Sequence, residues 1–267
     1  MKAEESEITL SDSQTTDQTV GDSDSQTSDQ GNDVKEEEKD DETADDASEQ
    51  AASTEETEEQ EAPASLLYQG HASIRINTPE GKVIYVDPFM GNGYDQTADL
   101  ILITHGHADH NKIDLITSKS EDCQTINQDD ALKDGNYQSF DLGYVQIEAV
   151  EAYNANHDKA SCVGYILTFT NGVELYLSGD TSTTSQMSRL AEREIDYAFY
   201  CCDGVYNMDT AEATECAKLV NAKHNIPYHM VPSNDSRGFD MDVAESFDGP
   251  GRIILQPGEE LLLEKAD

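Results

Sequence analysis

The sequence has no tryptophan, and its first 65 residues contain no aromatic residue of any kind. Those residues carry 23 acidic against 3 basic side chains, and most of the others are Ser, Thr, Gln and Ala. A segment with so little apolar surface cannot offset the entropy that is lost when a chain becomes ordered. We therefore predict a disordered acidic tail over residues 1–65 and one folded domain over residues 66–267.

Positive charge is also scarce in the predicted domain, where 33 acidic side chains outnumber 13 basic ones. Nucleic-acid binding depends on Lys and Arg side chains that release counterions from the phosphate backbone, and anionic membranes attract the same charges. The composition therefore argues against both as partners. A small-molecule substrate is compatible with it, because a bound metal ion can create local positive potential. The composition leaves the oligomeric state open.

Long apolar runs and paired cysteines are missing too. No stretch approaches the roughly 18 apolar residues that a membrane span needs, and the start MKAEESEITL lacks the apolar core of a signal peptide. The five cysteines contain no CxxC pair, and their odd number argues against a complete disulfide framework. As written, the chain is expected to be cytoplasmic. The alternative is an exported or cell-surface protein whose leader has been removed.

Short runs of β-type composition begin at Leu66. Residues 73–89 predict two strands joined by a turn at residues 79–81. Residues 99–105, DLILITH, form a continuous apolar run that is typical of a strand buried on both faces. Further strands are predicted within residues 144–154, 162–180, 196–202, 225–230, 252–256 and 260–264.

Helical spacing of apolar residues occurs between some of these strands. The clearest helix is predicted at residues 209–222, where Asp209 and Glu212 form a start that resembles a capping box. Shorter helices are predicted at residues 185–194 and 241–247. Hairpins followed by alternating strands and helices, without a repeat of fixed period, predict an α+β domain in which two sheets share a core and the helices lie outside.

The stretch LILITHGHADHNKID concentrates potential metal ligands at the end of one strand. His105 and His107 are two residues apart in a loop and can converge on one cation, while Asp109 and His110 can turn toward a second. Imidazole and carboxylate ligands favour Zn²⁺. Mn²⁺ and Fe²⁺ also fit, since ligand type narrows the choice of metal without fixing it.

One loop cannot complete two coordination spheres, so a binuclear site needs ligands from other segments. His157, Asp180 and His229 each occur where a predicted strand gives way to a loop. Sites assembled along one edge of a sheet use such positions. The sequence therefore predicts two divalent cations bound at this edge.

Eight short motifs carry a resemblance to a known family: GHASIRI, VDPF, THGHADH, AYN, GDT, DGVYNMDTAEA, IPYH and LQPGEELLL. From Leu66 onward the chain resembles the metallo-β-lactamase fold superfamily, in a small metal-dependent hydrolase branch related to L-ascorbate-6-phosphate lactonases. The resemblance implies a four-layer αβ/βα sandwich. It also implies that a first metal is bound by His105, His107 and His157, a second by Asp109, His110 and His229, and that Asp180 bridges both.

The function that this resemblance implies is metal-dependent hydrolysis of an ester, lactone or phosphoester bond in a small molecule by a metal-bridging hydroxide. Oxygen-reducing diiron relatives carry a glutamate where this chain has His107, which favours hydrolysis over redox chemistry. Two cations that share a water lower its pKa toward about 7. Asp109, as ligand and hydrogen-bond acceptor, is the expected catalytic residue that orients this hydroxide.

Three further residues are predicted around the metals. Asp87 is expected to hold a ligand imidazole in the correct tautomer, and His71 and Tyr153 are expected to line the pocket. The alternative function is a non-catalytic, metal-stabilised binding or sensor module of the same fold, because fold and ligands do not guarantee turnover.

Overall fold

The computed structural model of the chain describes residues 63–266. The predicted acidic tail lies outside these residues except for its last three positions. The first strand begins at Ala64, two residues before the boundary predicted at Leu66. In the part of the chain that is described, no helix has the length and apolar character needed to cross a membrane.

The secondary structure consists mainly of short strands. In chain order these are β1 (Ala64–Gly70), β2 (Ser73–Asn77), β3 (Val83–Val86), β4 (Ala98–Leu102), β5 (Lys119–Ile126), β6 (Leu132–Lys133), β7 (Asn136–Tyr137), β8 (Ser139–Asp141), β9 (Val145–Glu151), β10 (Val163–Phe169), β11 (Glu174–Leu177), β12 (Tyr197–Cys201), β13 (His224–Tyr228) and β14 (Glu260–Leu263). The α-helices are α1 (Gln128–Ala131), α2 (Met187–Leu190), α3 (Thr210–Val220) and α4 (Met241–Ser246), with 3₁₀ turns at Ile113–Leu115 and Ala191–Arg193.

The strands form two six-stranded sheets and one small hairpin. The first sheet has the order β14-β1-β2-β3-β4-β5, and the second has the order β13-β12-β11-β10-β9-β8. β6 and β7 pair as the hairpin. The hairpin predicted at residues 73–89 is observed as β2 and β3, with the register Ile74 to Val86. The predicted fold class, an α+β sandwich with two sheets, is confirmed.

The core lies between the sheets because side chains alternate along each strand. In β4, Leu100 and Leu102 join a large core cluster that contains residues of both sheets. Ile101 and Ile103 point the other way, into a smaller cluster on the outer face, which residues of the loops and the 3₁₀ turn at Ile113–Leu115 also cover. Burial on both faces explains the uninterrupted apolar run that the sequence shows here.

The longer helices cover the outer face of the second sheet. α3 packs against β12, and α2 and α4 pack against α3. Asp209 caps α3 by accepting a hydrogen bond from the backbone of Glu212. The predicted reciprocal bond is replaced, because the Glu212 carboxylate accepts hydrogen bonds from the backbone N–H and hydroxyl of Thr183 instead.

One strand prediction is wrong, and the strands β5 to β8 were not predicted. Residues 252–256 were expected to form a strand, but they make only an isolated bridge between Arg252 and Asn225. β5, at the opposite edge of the first sheet from β14, was not predicted. Its sequence KSEDCQTI is mostly exposed and polar, so it lacks the apolar alternation by which strands are recognised.

The direction of the strands brings several loops together. β3 and β4 are parallel, and β1 has the same direction because β2 is antiparallel to both β1 and β3. In the second sheet β11, β12 and β13 are parallel, and β9 shares their direction because β10 is antiparallel to β9 and β11. Polar residues that follow these strands therefore lie at one edge of each sheet.

Candidate metal centre

The predicted site residues follow strands that are parallel to one another within each sheet. His71 follows β1, and Asp87 follows β3. The loop after β4 carries the ligands of the THGHADH motif, and the remaining predicted ligands, His157, Asp180 and His229, follow β9, β11 and β13. Strand direction places these residues at one edge of each sheet, and the packing of the two sheets brings them around one pocket.

A first cluster consists of His105, His107 and His157, which each offer one ring nitrogen within 4.8 Å of the others. The Nε2 atom of His105 lies 3.0 Å from Nδ1 of His107. His105 and His157 are buried, whereas His107 is exposed. Burial, reinforced by nearby His110, lowers the pKa of His105 to about 2. His105 is therefore a neutral imidazole with a lone pair available for a cation.

A second cluster consists of His71, Asp109, His110 and His229, whose potential ligand atoms also lie within 4.8 Å of one another. Three of these side chains were predicted as ligands, and His71 was predicted only to line the pocket. Nε2 of His71 lies 3.3 Å from Oδ2 of Asp109. Burial acts to raise the pKa of Asp109, but the hydrogen bond from His71 holds it well below its usual range.

Asp180 lies between the two clusters. Its Oδ1 atom is 3.4 Å from Nε2 of His110, while its Oδ2 atom is 3.2 Å from Nε2 of His157 and 3.4 Å from Nε2 of His229. One carboxylate thus touches a histidine of the first cluster and two of the second. The family resemblance implies a bridging role for Asp180, and that role stays a prediction.

The charge of Asp180 and the charges of the neighbouring histidines stabilise one another. Burial opposes ionisation of Asp180, but His229 and His110 hold its pKa well below the usual value. Conversely, Asp180 and Asp87 outweigh burial and raise the pKa of His110 well above its ordinary value. Asp180 likewise raises the pKa of His229 against the effect of burial. Without a metal ion, the buried carboxylate of Asp180 is therefore stabilised by the histidines beside it.

The donor set fits divalent cations. Within residues 63–266, Nε2 of His110, Nε2 of His229 and Oδ1 of Asp180 are buried and have no hydrogen-bond partner. Leaving polar atoms in this state is costly unless something else binds them. Tetrahedral ligands at about 2.0–2.1 Å from a zinc ion lie about 3.3–3.4 Å apart. The separations of 3.2–3.4 Å around Asp180 match that geometry.

Asp87 supports the second cluster from behind. Its Oδ2 atom lies 2.8 Å from Nδ1 of His110 and accepts a hydrogen bond from the hydroxyl of Thr104, while Oδ1 accepts one from the backbone N–H of Thr104. A carboxylate can only accept here, so Nδ1 of His110 carries a proton and Nε2 is the nitrogen that a cation would take.

Three supporting residues were missed by the sequence analysis. Oδ1 of Asn154 lies 3.0 Å from Nδ1 of His157, and Oδ2 of Asp203 lies 3.4 Å from Nδ1 of His229. Asn207 donates hydrogen bonds to both Asp180 and Asp203. The motifs AYN and DGVYN contain all three residues, but only the folded chain brings them beside the ligands.

The backbone around the site is strained. His71, Asp87 and His229 have φ values of 55°, 44° and 45°, a region that side-chain-bearing residues seldom adopt. Such conformations cost about 1–3 kcal/mol each and concentrate at functional sites. Gly179 has a different reason for its φ of 62°, since a Cβ atom there would lie 2.5 Å from the carbonyl oxygen of Val163. Because residue 179 is a glycine, the backbone can pass close to β10, and this sets the position of Asp180.

A pocket of about 280 Å³ opens above the two clusters. Its walls are formed by His107, Ala108, Asp109, Asn156, His157, Asp180, Tyr206, His229 and Ser233. Tyr153, which was predicted to line the pocket, is not part of this wall. Its ring lies 4.7 Å from the Lys159 ammonium, and its backbone binds Thr181. His71 is fully buried and reaches the site beneath the wall.

The sequence and the fold can be compared with those of known proteins. Residues 65–229, more than half of the chain, match the family described as the beta-lactamase superfamily domain. The chain belongs to this superfamily. A UPF0173 metal-dependent hydrolase from Geobacillus sp. (strain WCH70) is 32% identical over 224 residues, which cover 72% of this chain and 96% of the relative.

Two solved structures have a similar fold. A protein from Parabacteroides distasonis, described as a metal-dependent hydrolase, has a TM-score of 0.57 at 27% identity and covers 72% of this chain and 91% of its own. Igni18, a metallo hydrolase from Ignicoccus hospitalis, has a TM-score of 0.57 at 22% identity. The alignment covers 77% of this chain and 100% of the Igni18 chain. At this identity the similarity is evidence of a shared fold only. The chain is a metal-dependent hydrolase of the metallo-β-lactamase superfamily. The lactonase-related branch remains a prediction.

Proposed function

We propose that this metal-dependent hydrolase is binuclear and cleaves an ester, lactone or phosphoester bond of a small molecule. The observation that carries the proposal is the position of Asp180, whose two oxygens lie within 3.4 Å of histidines from both clusters. A carboxylate in this position can bridge two cations. Two bound cations would supply Lewis acidity and an acidified water between them.

The chain's own residues would hold these cations as the resemblance implies. The first cluster supplies three imidazoles, and Asp109, His110 and His229 supply one carboxylate and two imidazoles. Zinc suits this donor set best, while manganese and iron also accept imidazole and carboxylate ligands. Elemental analysis of the purified protein would identify the metal, and we expect two divalent ions per chain.

Asp109 is our candidate catalytic residue. It lines the pocket, and its carboxylate stays ionised at neutral pH because its pKa is held well below the usual range. An ionised carboxylate can accept a hydrogen bond from the attacking water and orient it toward the substrate. Asp109→Asn would keep the shape of the side chain while weakening this acceptor. Full turnover with full metal content would contradict the role.

The pocket supports a small substrate. Its volume of about 280 Å³ is near the lower end of the range for small-molecule sites. Among the residues that the structure describes, no Lys or Arg side chain belongs to the wall of this pocket. A carbonyl or phosphoryl oxygen of the substrate would therefore have to be bound by the cations and by the polar groups of residues such as Asn156 and Ser233.

The proposal is tested by screening the metal-loaded protein against phosphodiester, lactone and β-lactam substrates. We expect turnover of at least one substrate, and its loss in His107→Ala. His224→Ala is the matched control, since His224 stacks on Tyr197 at the far end of β13, away from both clusters. Absence of turnover with every substrate, together with tight binding of an unreacted ligand, would favour the sensor function instead.

A further inference from the structure

His71 is the one member of the second cluster to which the sequence assigned no direct role at the metals. It follows β1, is fully buried, and adopts a left-handed backbone conformation. Its ring lies 3.7 Å from that of His229 and 5.0 Å from that of Phe89, measured between ring centres. Burial of an imidazole is unfavourable without hydrogen bonds, so the contacts of its two ring nitrogens indicate its role.

The two nitrogens of His71 have different surroundings. Nε2 lies 3.3 Å from Oδ2 of Asp109, whereas Nδ1 is buried and has no hydrogen-bond partner within residues 63–266. A neutral imidazole carries one proton. Placing it on Nε2 makes a hydrogen bond to the carboxylate and leaves only a lone pair unpartnered. Placing it on Nδ1 would leave a buried N–H group without an acceptor and set a lone pair against the carboxylate.

Three of the other four buried histidines show the opposite pattern, whereas Nδ1 of His229 has no hydrogen bond within residues 63–266 and lies 3.4 Å from Oδ2 of Asp203. His105, His110 and His157 have a partner on Nδ1, respectively the Thr104 hydroxyl at 3.1 Å, Asp87 at 2.8 Å and Asn154 at 3.0 Å. Metal-binding histidines almost always donate their second N–H to such a partner. His71 lacks one, so a cation on its Nε2 would leave the N–H on Nδ1 unsatisfied.

The number of available ligands points the same way. Asp109, His110, His229 and the bridging Asp180 already offer four side chains to the second cation. Catalytic sites keep a coordination position free for water or substrate. A further imidazole from His71 would compete for that position. His71 therefore fits beside the coordination sphere better than within it.

We propose that His71 is a positioning residue that donates a hydrogen bond from Nε2 to Oδ2 of Asp109 and so fixes the orientation of this carboxylate toward the second cation. The inference rests on the proposed binuclear function. Ligating carboxylates are commonly held by such hydrogen bonds, and loss of the partner typically lowers metal affinity by about 10–100-fold.

The test uses His71→Phe, which keeps an aromatic ring but removes the donor, and His71→Gln, which keeps an N–H donor. Zinc affinities of the full chain are measured by competition with a chelator. We expect His71→Phe to weaken the second zinc by about 10–100-fold and leave the first unchanged, with His71→Gln restoring most of the loss. His224→Phe serves as the control and should bind both ions normally.

A second measurement separates a positioning residue from a ligand. Long-range ¹H–¹⁵N spectra of the zinc-loaded wild type report the state of each ring nitrogen, and we expect His71 to be protonated on Nε2 with Nδ1 free of proton and metal. A metal-bound nitrogen of His71, or an unchanged second affinity in His71→Phe, would overturn the proposal. A wild-type chain that binds only one zinc would overturn the binuclear function itself, and this role with it.

Discussion

Replacement of Asp87 by asparagine would isolate what one buried carboxylate contributes to metal binding. Asp87 is 1% exposed and serves both Nδ1 of His110 and the backbone and hydroxyl of Thr104. Asparagine has nearly the same size, and it tolerates the φ of 44° at this position better than most residues. Asp87→Asn therefore changes hydrogen-bonding capacity with little effect on packing.

Asparagine offers one acceptor oxygen and one NH₂ donor where aspartate offers two acceptor oxygens. The single amide oxygen would be taken by the N–H of Thr104, which turns the amide NH₂ group toward Nδ1 of His110. Nδ1 must then accept, so the proton of His110 moves to Nε2, the nitrogen that faces Asp180. A protonated Nε2 cannot bind a cation. The cation would have to bind a disfavoured tautomer or force the amide to turn.

We expect Asp87→Asn to weaken the second zinc by about 10–100-fold, the usual cost of losing such a partner. By the relation of about 1.4 kcal/mol for each factor of ten, this is about 1.4–2.8 kcal/mol. The first zinc should bind normally, because its imidazoles have other partners. Chelator competition with the full chain would resolve the two affinities.

Asp134→Asn provides the matched control, since Asp134 also has a positive φ, of 52°, but is exposed and belongs to neither candidate cluster. It should leave both affinities unchanged. Equal zinc affinities in Asp87→Asn and the wild type would refute the argument that Asp87 sets the tautomer of His110.

Three other predictions concern stability, geometry and pH. Leu100→Ala should lower the free energy of unfolding by about 2–5 kcal/mol in urea denaturation, against under about 1 kcal/mol for the half-exposed Leu262→Ala; equal losses would contradict the assigned core. Gly179→Ala should lower both the melting temperature and zinc affinity, because its Cβ would meet a backbone carbonyl at 2.5 Å; normal values of both would contradict this. The pKa values of His110 and His229 are raised above the ordinary value in the metal-free protein, so zinc binding should displace protons from these histidines and should weaken as the pH falls. Calorimetry in two buffers of different ionisation heat checks this, and identical heats would argue against it.

The parts of the fold that the sequence predicted share one property. β2, β3 and β4 have strong local patterns, either a turn between apolar runs or a continuous apolar run. β5 lacks such a pattern, whereas residues 252–256 contain a short apolar run that forms only a bridge at Arg252. Whether such polar or short segments pair depends on which backbone lies beside them, and their own residues carry no information about that neighbour.

For the candidate site, the sequence by itself determined the chemical types of the ligands and their places at strand ends, because a cluster such as THGHADH and single polar residues after apolar runs are local features. The tertiary structure decided which of them meet, and it alone supplied the partners Asn154, Asp203 and Asn207 and the contact between His71 and Asp109. These pairings depend on how the directions of distant strands align their ends, and that alignment exists only once the two sheets have packed.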